Sequence, residues 1–208
     1  MAKILSFDNK LMKIGNGLLG PAEPAPTPVD PLNPLNLPQY TIRVKMKSGS
    51  SSPSVPGATV TAVQGQTDVY DIYGYRNGDW GGLLSSVNVV EVLGANSTGI
   101  TAMDNMLSYC TYLTTVQLFD TSSVTNMSYM FNYCTALTAI PLFDTSSVTN
   151  MNDTFNNCTN VESGALAIYN QASTQTTPPS KHQRTFYSCG TNTTTGTAEY
   201  NQIPSGWK

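Results

Sequence analysis

The chain's four cysteines and single histidine are the residues whose side chains could ligate a metal ion or serve as nucleophile and base. A structural zinc site draws on cysteine pairs two to four residues apart. No such pair exists here, and His182 lies alone in a stretch rich in proline, serine and threonine. The sequence also has no glycine-rich phosphate loop. It therefore predicts no catalytic residue, no metal site and no cofactor.

Aromatic side chains are the second group with usable chemistry. Several tyrosines and a tryptophan have asparagine and threonine neighbours, so their rings could stack on sugars or contact a protein. The same rings could instead pack inside the fold, and the sequence leaves both interpretations open. The candidate ligand contacts are Tyr70, Tyr73, Tyr75, Trp80, Tyr109 and Tyr133.

These residues are placed by an internal repeat. The nonapeptide FDTSSVTNM occurs at 119–127 and again at 143–151, and the cysteines follow the same spacing of 24 residues until the last, which is displaced. Such a period predicts a solenoid of stacked turns, and apolar steps of three and four within each turn favour a short helical stretch. The predicted repeat core is Met103, Leu107, Cys110, Met127, Phe131, Cys134, Met151, Phe155, Cys158, Phe186 and Cys189. Cysteines in phase with this core are predicted to be free, buried thiols.

The segments around the repeat divide the chain further. Alternation in YTIRVKM and the β-branched run ATVTAV predict a small β region over 40–88, followed by the repeats over 89–164. Residues 165–208 carry an insertion and then lose the repeat pattern, which is typical of a capping unit.

The N-terminal part has a different composition. Residues 21–39 are rich in proline and predict an extended linker. Residues 1–20 carry spaced apolar side chains that fit either a two-heptad helical seam or two short strands. We expect this segment to dock into another subunit as an anchor. The predicted anchor residues are Ile4, Phe7, Leu11, Ile14 and Leu18.

Composition excludes some partners. Charged residues make up 11% of the chain and the net charge is −3, so neither nucleic acid nor an anionic membrane is an expected partner. No apolar run reaches the length of a membrane span, and the N-terminus lacks the apolar stretch of a signal peptide. A surface role is therefore expected to use another route out of the cell, such as release on a virus particle.

The repeat pattern LTAIPLFDTSSVTNMSYMFNYCTALTAI resembles the BspA-like leucine-rich repeats over roughly 89–189. The resemblance implies an α/β leucine-rich-repeat solenoid of about three turns plus a cap, with short parallel strands on one face and helical turns on the other. It also implies a surface or adhesive protein without catalytic activity. The tail, the proline-rich linker and the closing IPSGWK are similar to bacteriophage head-fibre and tail-fibre proteins.

Together these features predict a non-enzymatic virion structural and adhesion protein. Residues 1–20 would anchor it to other virion subunits of a phage capsid or tail, as a homo-oligomer for which a trimer is one option. The repeats would contact a host-surface glycan or protein from the virion surface. The alternatives are a decoration protein that only stabilises the capsid, or an adhesin on a bacterial cell surface.

Overall fold

The computed structural model describes residues 13–14, 17–18, 30–74 and 79–208. The strands in these ranges are β1 Lys13–Ile14, β2 Gly17–Leu18, β3 Thr41–Met46, β4 Ala58–Ala62, β5 Val69–Gly74, β6 Val89–Asn96 and β7 Thr115–Val116. The helices are α1 Ala165–Ser173, α2 Thr194–Gln202 and a 3-10 turn at Ser205–Trp207.

Strands β3 to β7 form one mixed sheet in the order β4-β5-β3-β6-β7. All neighbours are antiparallel except β6 and β7, which are parallel. The alternation read from the sequence is real in β3, where Ile42, Val44 and Met46 are buried. On the other face Arg43 pairs with Asp71 at 2.6 Å. This sheet gives the β region one apolar side and one solvated side.

The predicted α/β leucine-rich-repeat solenoid is wrong. The chain folds as an open five-stranded mixed sheet with two short helices, and both helices lie in the C-terminal segment rather than one in each repeat. The segments predicted to be helical, such as 103–110, consist of consecutive turns. The short parallel strands expected in every repeat are reduced to β7 and isolated bridges.

The backbone shows why these segments are not helices. Every second N–H bonds to the next repeat, as when Asn105 N donates to Ser128 O at 2.9 Å, while the intervening N–H groups bond three residues back. Asn105 and Tyr109 also have φ values of 56° and 60°. An α-helix requires negative φ throughout and bonds four residues back. The apolar spacing of three and four residues therefore serves stacked turns here.

The repeated nonapeptide occupies equivalent places in successive turns. The Phe119 and Phe143 rings pack at 5.1 Å. Asp120 and Asp144 each accept a hydrogen bond from the backbone two residues on, which fixes the same turn. Thr149 Oγ1 donates to the carbonyl of Thr125, 24 residues earlier, at 3.1 Å. The phenylalanine, the aspartate and this threonine of the motif thus have structural roles that recur from one turn to the next.

The core of the stacked turns contains every residue predicted for it, because all eleven are buried. Three phenylalanine rings form a column, with Phe155 at 5.4 Å from Phe131 and 5.6 Å from Phe186. The cysteines are free and buried as predicted. The Cys134 thiol donates to the Leu107 carbonyl at 3.1 Å. Burial raises the pKa of the Cys158 thiol to about 12.

The C-terminal segment packs over the last turn. Gly164, at φ 99°, begins this change from the repeat, because a Cβ there would collide with the Ile140 carbonyl oxygen. The buried Trp207 stacks on His182 at 4.2 Å, and its carbonyl accepts from Phe186 N at 2.9 Å. Trp207 thus satisfies the N–H of Phe186 in the last turn and covers the ring of His182.

The end of the proline-rich linker differs from the predicted extended chain. Residues 30–38 form two turns, and Asn33 bonds through both side-chain atoms to the backbone of Leu37. Leu37 is 4% exposed, and Leu35 packs over Gly94 of β6. This part of the linker is therefore folded against the sheet. Residues 19–29 lie outside the described part of the chain.

The N-terminal anchor is described only in part. Ile14 and Leu18 lie in β1 and β2, which pair antiparallel, so this portion is β rather than a helical seam. Ile4, Phe7 and Leu11 lie outside the described residues. Their role as an anchor stays a prediction.

Candidate functional site

The predicted ligand contacts do not form one cluster. Tyr70 is half-buried and Tyr73 is 45% exposed, both in β5. Trp80 is fully buried in the core, so its ring is not available at the surface. Tyr75 lies outside the described residues. Among the predicted ligand contacts that the structure describes, Tyr109 and Tyr133 lie against each other.

Tyr109 and Tyr133 form an exposed stack. Their ring centroids are 4.9 Å apart and the planes differ by 6°. The side chains are 50% and 39% exposed, respectively. Tyr109 N donates to the Asn132 carbonyl at 2.7 Å, and Tyr133 N donates to the Asn156 carbonyl at 2.8 Å. The backbone ladder between turns thus fixes the position from which each ring projects.

Both tyrosines belong to a column of left-handed residues. The hydrogen-bond ladder aligns one residue from each successive turn, and each has φ between 54° and 62°. We call this set the left-handed column: Ser86, Tyr109, Tyr133, Asn157 and Ser188. Sequence phase alone could align most of these residues, but it could not show their backbone conformation.

The two ends of the tyrosine stack differ. One turn after Tyr133, the column holds Asn157, whose side-chain amide donates to Asn156 Oδ1 at 2.6 Å. One turn before Tyr109, the column holds Ser86, which is exposed and has a small side chain. Tyr109 is also the more exposed of the two rings. The pair of stacked rings therefore ends at Tyr109, and the column continues beyond it with a small serine.

A second polar cluster lies at another left-handed position of the turns. Asp153 is 3% exposed and accepts from Arg184 Nε at 3.0 Å and from Asn156 Nδ2 at 2.6 Å. The hydrogen bond with Asp153 raises the pKa of Arg184, and Tyr129 contributes to this shift. Asn132, one turn before Asn156, is buried and its Oδ1 has no hydrogen-bond partner. The ion pair thus ties the last turn to the preceding one.

Tyr112 is an exposed ring that sequence reasoning missed. It is 42% exposed, and Lys47 Nζ lies 3.8 Å from its ring centroid. Hydrogen bonding with Lys47 and its positive charge lower the pKa of Tyr112. Lys47 follows β3, so this contact joins the sheet to the first turns. The long sequence separation between the two residues hides this contact from any local pattern.

The side chains that could bind a metal ion or transfer a proton are dispersed or already engaged in the part of the chain that the structure describes. No group of three His, Cys, Asp or Glu side chains there could hold a metal ion. His182 is engaged with Trp207 and with the Gly206 carbonyl at 3.2 Å. Among the same residues, no helix has both the length and the apolar character needed to cross a membrane.

Comparison with known proteins places the repeats in a family. A family model described as "Mycoplasma protein of unknown function, DUF285" matches residues 85–192. This family is related to BspA-like repeat proteins, which agrees with the resemblance seen in the sequence, whereas no phage protein is among the matches. No curated protein and no solved structure matches the chain. The matched span includes the whole tyrosine stack.

Proposed function

Since the chain belongs to the DUF285 family, whose description assigns no activity, we propose from its own structure that it is a non-enzymatic structural and adhesion protein. Its stacked turns present Tyr109 and Tyr133 to a glycan or protein on another surface. The observation that carries this proposal is the exposed, parallel tyrosine stack at two left-handed positions.

The fold gains little from tyrosine at these positions. A left-handed backbone costs an ordinary residue about 1–2 kcal/mol, and bulky side chains rarely adopt it. The stack returns about 0.5–1.5 kcal/mol for the pair. Ser86 and Asn157 occupy the same place in neighbouring turns with smaller side chains. Contact with a partner accounts for two exposed tyrosines better than stability does.

The stack suits binding rather than catalysis. Tyrosine supplies a large contact area with few rotatable bonds, which is why it is enriched at interfaces. Stacking and the backbone ladder hold both rings in place before a partner arrives, so little conformational freedom is lost on contact. The residues at the two ends of the stack, Ser86 and Asn157, are neutral and polar. They offer hydrogen bonds rather than proton transfer.

A virion location also belongs to this proposal. It is supported by the sequence, in which an apolar tail over 1–20 precedes a proline-rich segment. The closing segment IPSGWK is explained by its role as a cap, because Trp207 is buried there. Its similarity to phage proteins therefore lends less support to a virion location than the N-terminal segments do. Fusing residues 1–38 to an unrelated domain tests the anchor. We expect the fusion protein to be incorporated into the virus particle in several copies. A fusion protein that is absent from purified particles would contradict the anchor.

Binding of labelled protein to a panel of intact bacterial cells, read by flow cytometry, tests adhesion. The test variant replaces Tyr109 by Ser and Tyr133 by Asn, the residue types that the same column uses elsewhere. Tyr187→Ser is the matched control, since it removes another exposed tyrosine, which is 47% exposed and lies outside the left-handed column. We expect wild type and control to bind equally and the double variant to lose binding with its melting temperature retained. Equal binding by all three proteins, or no binding by wild type, overturns the proposal.

A further inference from the structure

Resting on the proposed function, we infer that the open face of Tyr109 is a carbohydrate-binding platform. A pyranose ring of a neutral glycan would stack on the side of Tyr109 that is turned towards Ser86. The Ser86 hydroxyl, at the same position of the preceding turn, would bond to the sugar hydroxyls. The juxtaposition that points to this site is a half-exposed tyrosine ring next to a small exposed serine at the same position of the preceding turn.

The stack leaves one usable face. A ring inserted between two others needs about 3.5 Å on each side, and the centroids of Tyr109 and Tyr133 are only 4.9 Å apart. Beyond Tyr133 the column continues with Asn157, a larger side chain than serine, whose amide donates to Asn156 Oδ1. A sugar ring can therefore stack at the Ser86 end of the pair, while the rest of the stack offers ring edges and hydroxyl groups.

The column of aromatic rings ends because residue 86 is serine. Ser86 has φ 62°, close to the 60° of Tyr109, and its N–H donates to the Ser108 carbonyl at 2.7 Å. The backbone of Ser86 thus continues the column, but its side chain has no ring to extend the aromatic stack. The neighbouring Ser85 hydroxyl donates to the Ser108 carbonyl at 3.3 Å. The turn that precedes Tyr109 therefore carries two small serine side chains where a third aromatic ring could have continued the stack.

The surroundings favour a neutral polyhydroxyl ligand. Residues 83–88 and 107–112, which make up the two turns at this end, contain no carboxylate or ammonium group. The nearby cation Lys47 lies over Tyr112 instead. Axial C–H groups of a pyranose meet the negative face of an aromatic ring favourably, and serine and asparagine side chains match sugar hydroxyls. A charged ligand would find no partner of opposite sign in these turns.

A microarray of neutral glycans, probed with the full chain, tests the inference. The methyl glycoside of the best-bound terminal sugar is then titrated and followed by NMR of the tyrosine ring signals. Tyr109→Ser removes the platform. Ser86→Tyr keeps Tyr109 but extends the stack over its open face, at a φ that already accommodates tyrosine in the next two turns. Tyr187→Ser again serves as the control.

We expect wild type and control to bind the same glycans, with the largest shifts at Tyr109. Each of the other two variants should bind at least about tenfold more weakly, as expected when the stacking contact and its buried area are lost. Unchanged sugar binding by Ser86→Tyr, or no neutral glycan bound by wild type, overturns the platform. If Ser86→Tyr still adheres to cells that the double variant cannot bind, the adhesive function stands and the carbohydrate platform fails.

Discussion

Replacing Phe155 by alanine should destabilise the stacked turns more than replacing any polar residue of the same turn. Phe155 is 2% exposed and lies between the Phe131 and Phe186 rings, at 5.4 and 5.6 Å. The change therefore removes the middle member of a continuous aromatic column. It also leaves a cavity between turns whose backbones are held by hydrogen bonds on either side.

The expected magnitude lies at the upper end of the usual range. Truncating a buried phenylalanine to alanine costs roughly 3–5 kcal/mol, and more where the surroundings cannot close the cavity. The ladder bonds of Phe155 and its neighbours limit such closure, so we expect about 4–5 kcal/mol. For a chain of 208 residues, this corresponds to a fall in melting temperature of roughly 8–20 °C.

Thr149→Ala is the matched control in the same turn. Thr149 is exposed, and its hydroxyl donates to the Thr125 carbonyl at 3.1 Å, an oxygen that also accepts from Thr149 N at 2.9 Å. That carbonyl keeps a partner in the variant, so the cost should be about 0.5 kcal/mol. Urea unfolding followed by circular dichroism gives both free energies of unfolding. Similar values for the two variants, or less than about 2 kcal/mol for Phe155→Ala, would show that the Phe155 ring does not support the stack.

Three further predictions follow from the geometry. Burial raises the pKa of Cys110 and Cys158 to about 12, so all four thiols should resist iodoacetamide until unfolding, as mass spectrometry can show. Because unfolded thiols ionise near 9, the free energy of unfolding should also fall between about pH 9 and 12; a flat profile would contradict this. Lys47→Ala should raise the pKa of Tyr112, measured by NMR titration, since Lys47 lowers it; an unchanged pKa would show that the contact is not made in solution. A chain beginning at Tyr40 should be less stable than one beginning at Asp30 by about 1.5–3 kcal/mol, because it lacks the buried Leu37; equal melting temperatures would mean that the linker turns do not pack on the sheet.

The position of each core residue could be predicted from the sequence, but its backbone conformation could not. Met127, Phe131 and Cys134 recur at one phase, and burial of one face explains that phase in any stacked structure. Apolar residues spaced three and four apart fit an α-helix and consecutive turns equally well. What separates the two here is the left-handed backbone at Tyr129 and Tyr133. Tyrosine has no preference for that conformation, so local propensity gave no sign of it.

The candidate site was visible from the sequence to a similar degree. Phase alignment identifies Tyr109 and Tyr133 as equivalent, whereas composition alone groups them with Trp80, which is buried. The contact of Tyr112 with Lys47 depends on how the sheet packs beside the turns. The turns at 30–38 were hidden for another reason. Proline content predicts extended chain, but Asn33 supplies side-chain bonds that close a turn on Leu37.

The left-handed column separates what the fold requires from what the surface presents. At each of its positions the backbone adopts positive φ, and at every position before the last turn it also donates its N–H to the next turn; no side chain is needed for either. Serine, tyrosine and asparagine all occur there. The residue that follows Tyr109, Tyr133 and Asn157 in the sequence, by contrast, is a core cysteine each time: Cys110, Cys134 and Cys158. Substitutions in the column can therefore change the exposed surface with little effect on the core. A binding surface built on this column can vary in sequence while the turns beneath it stay the same.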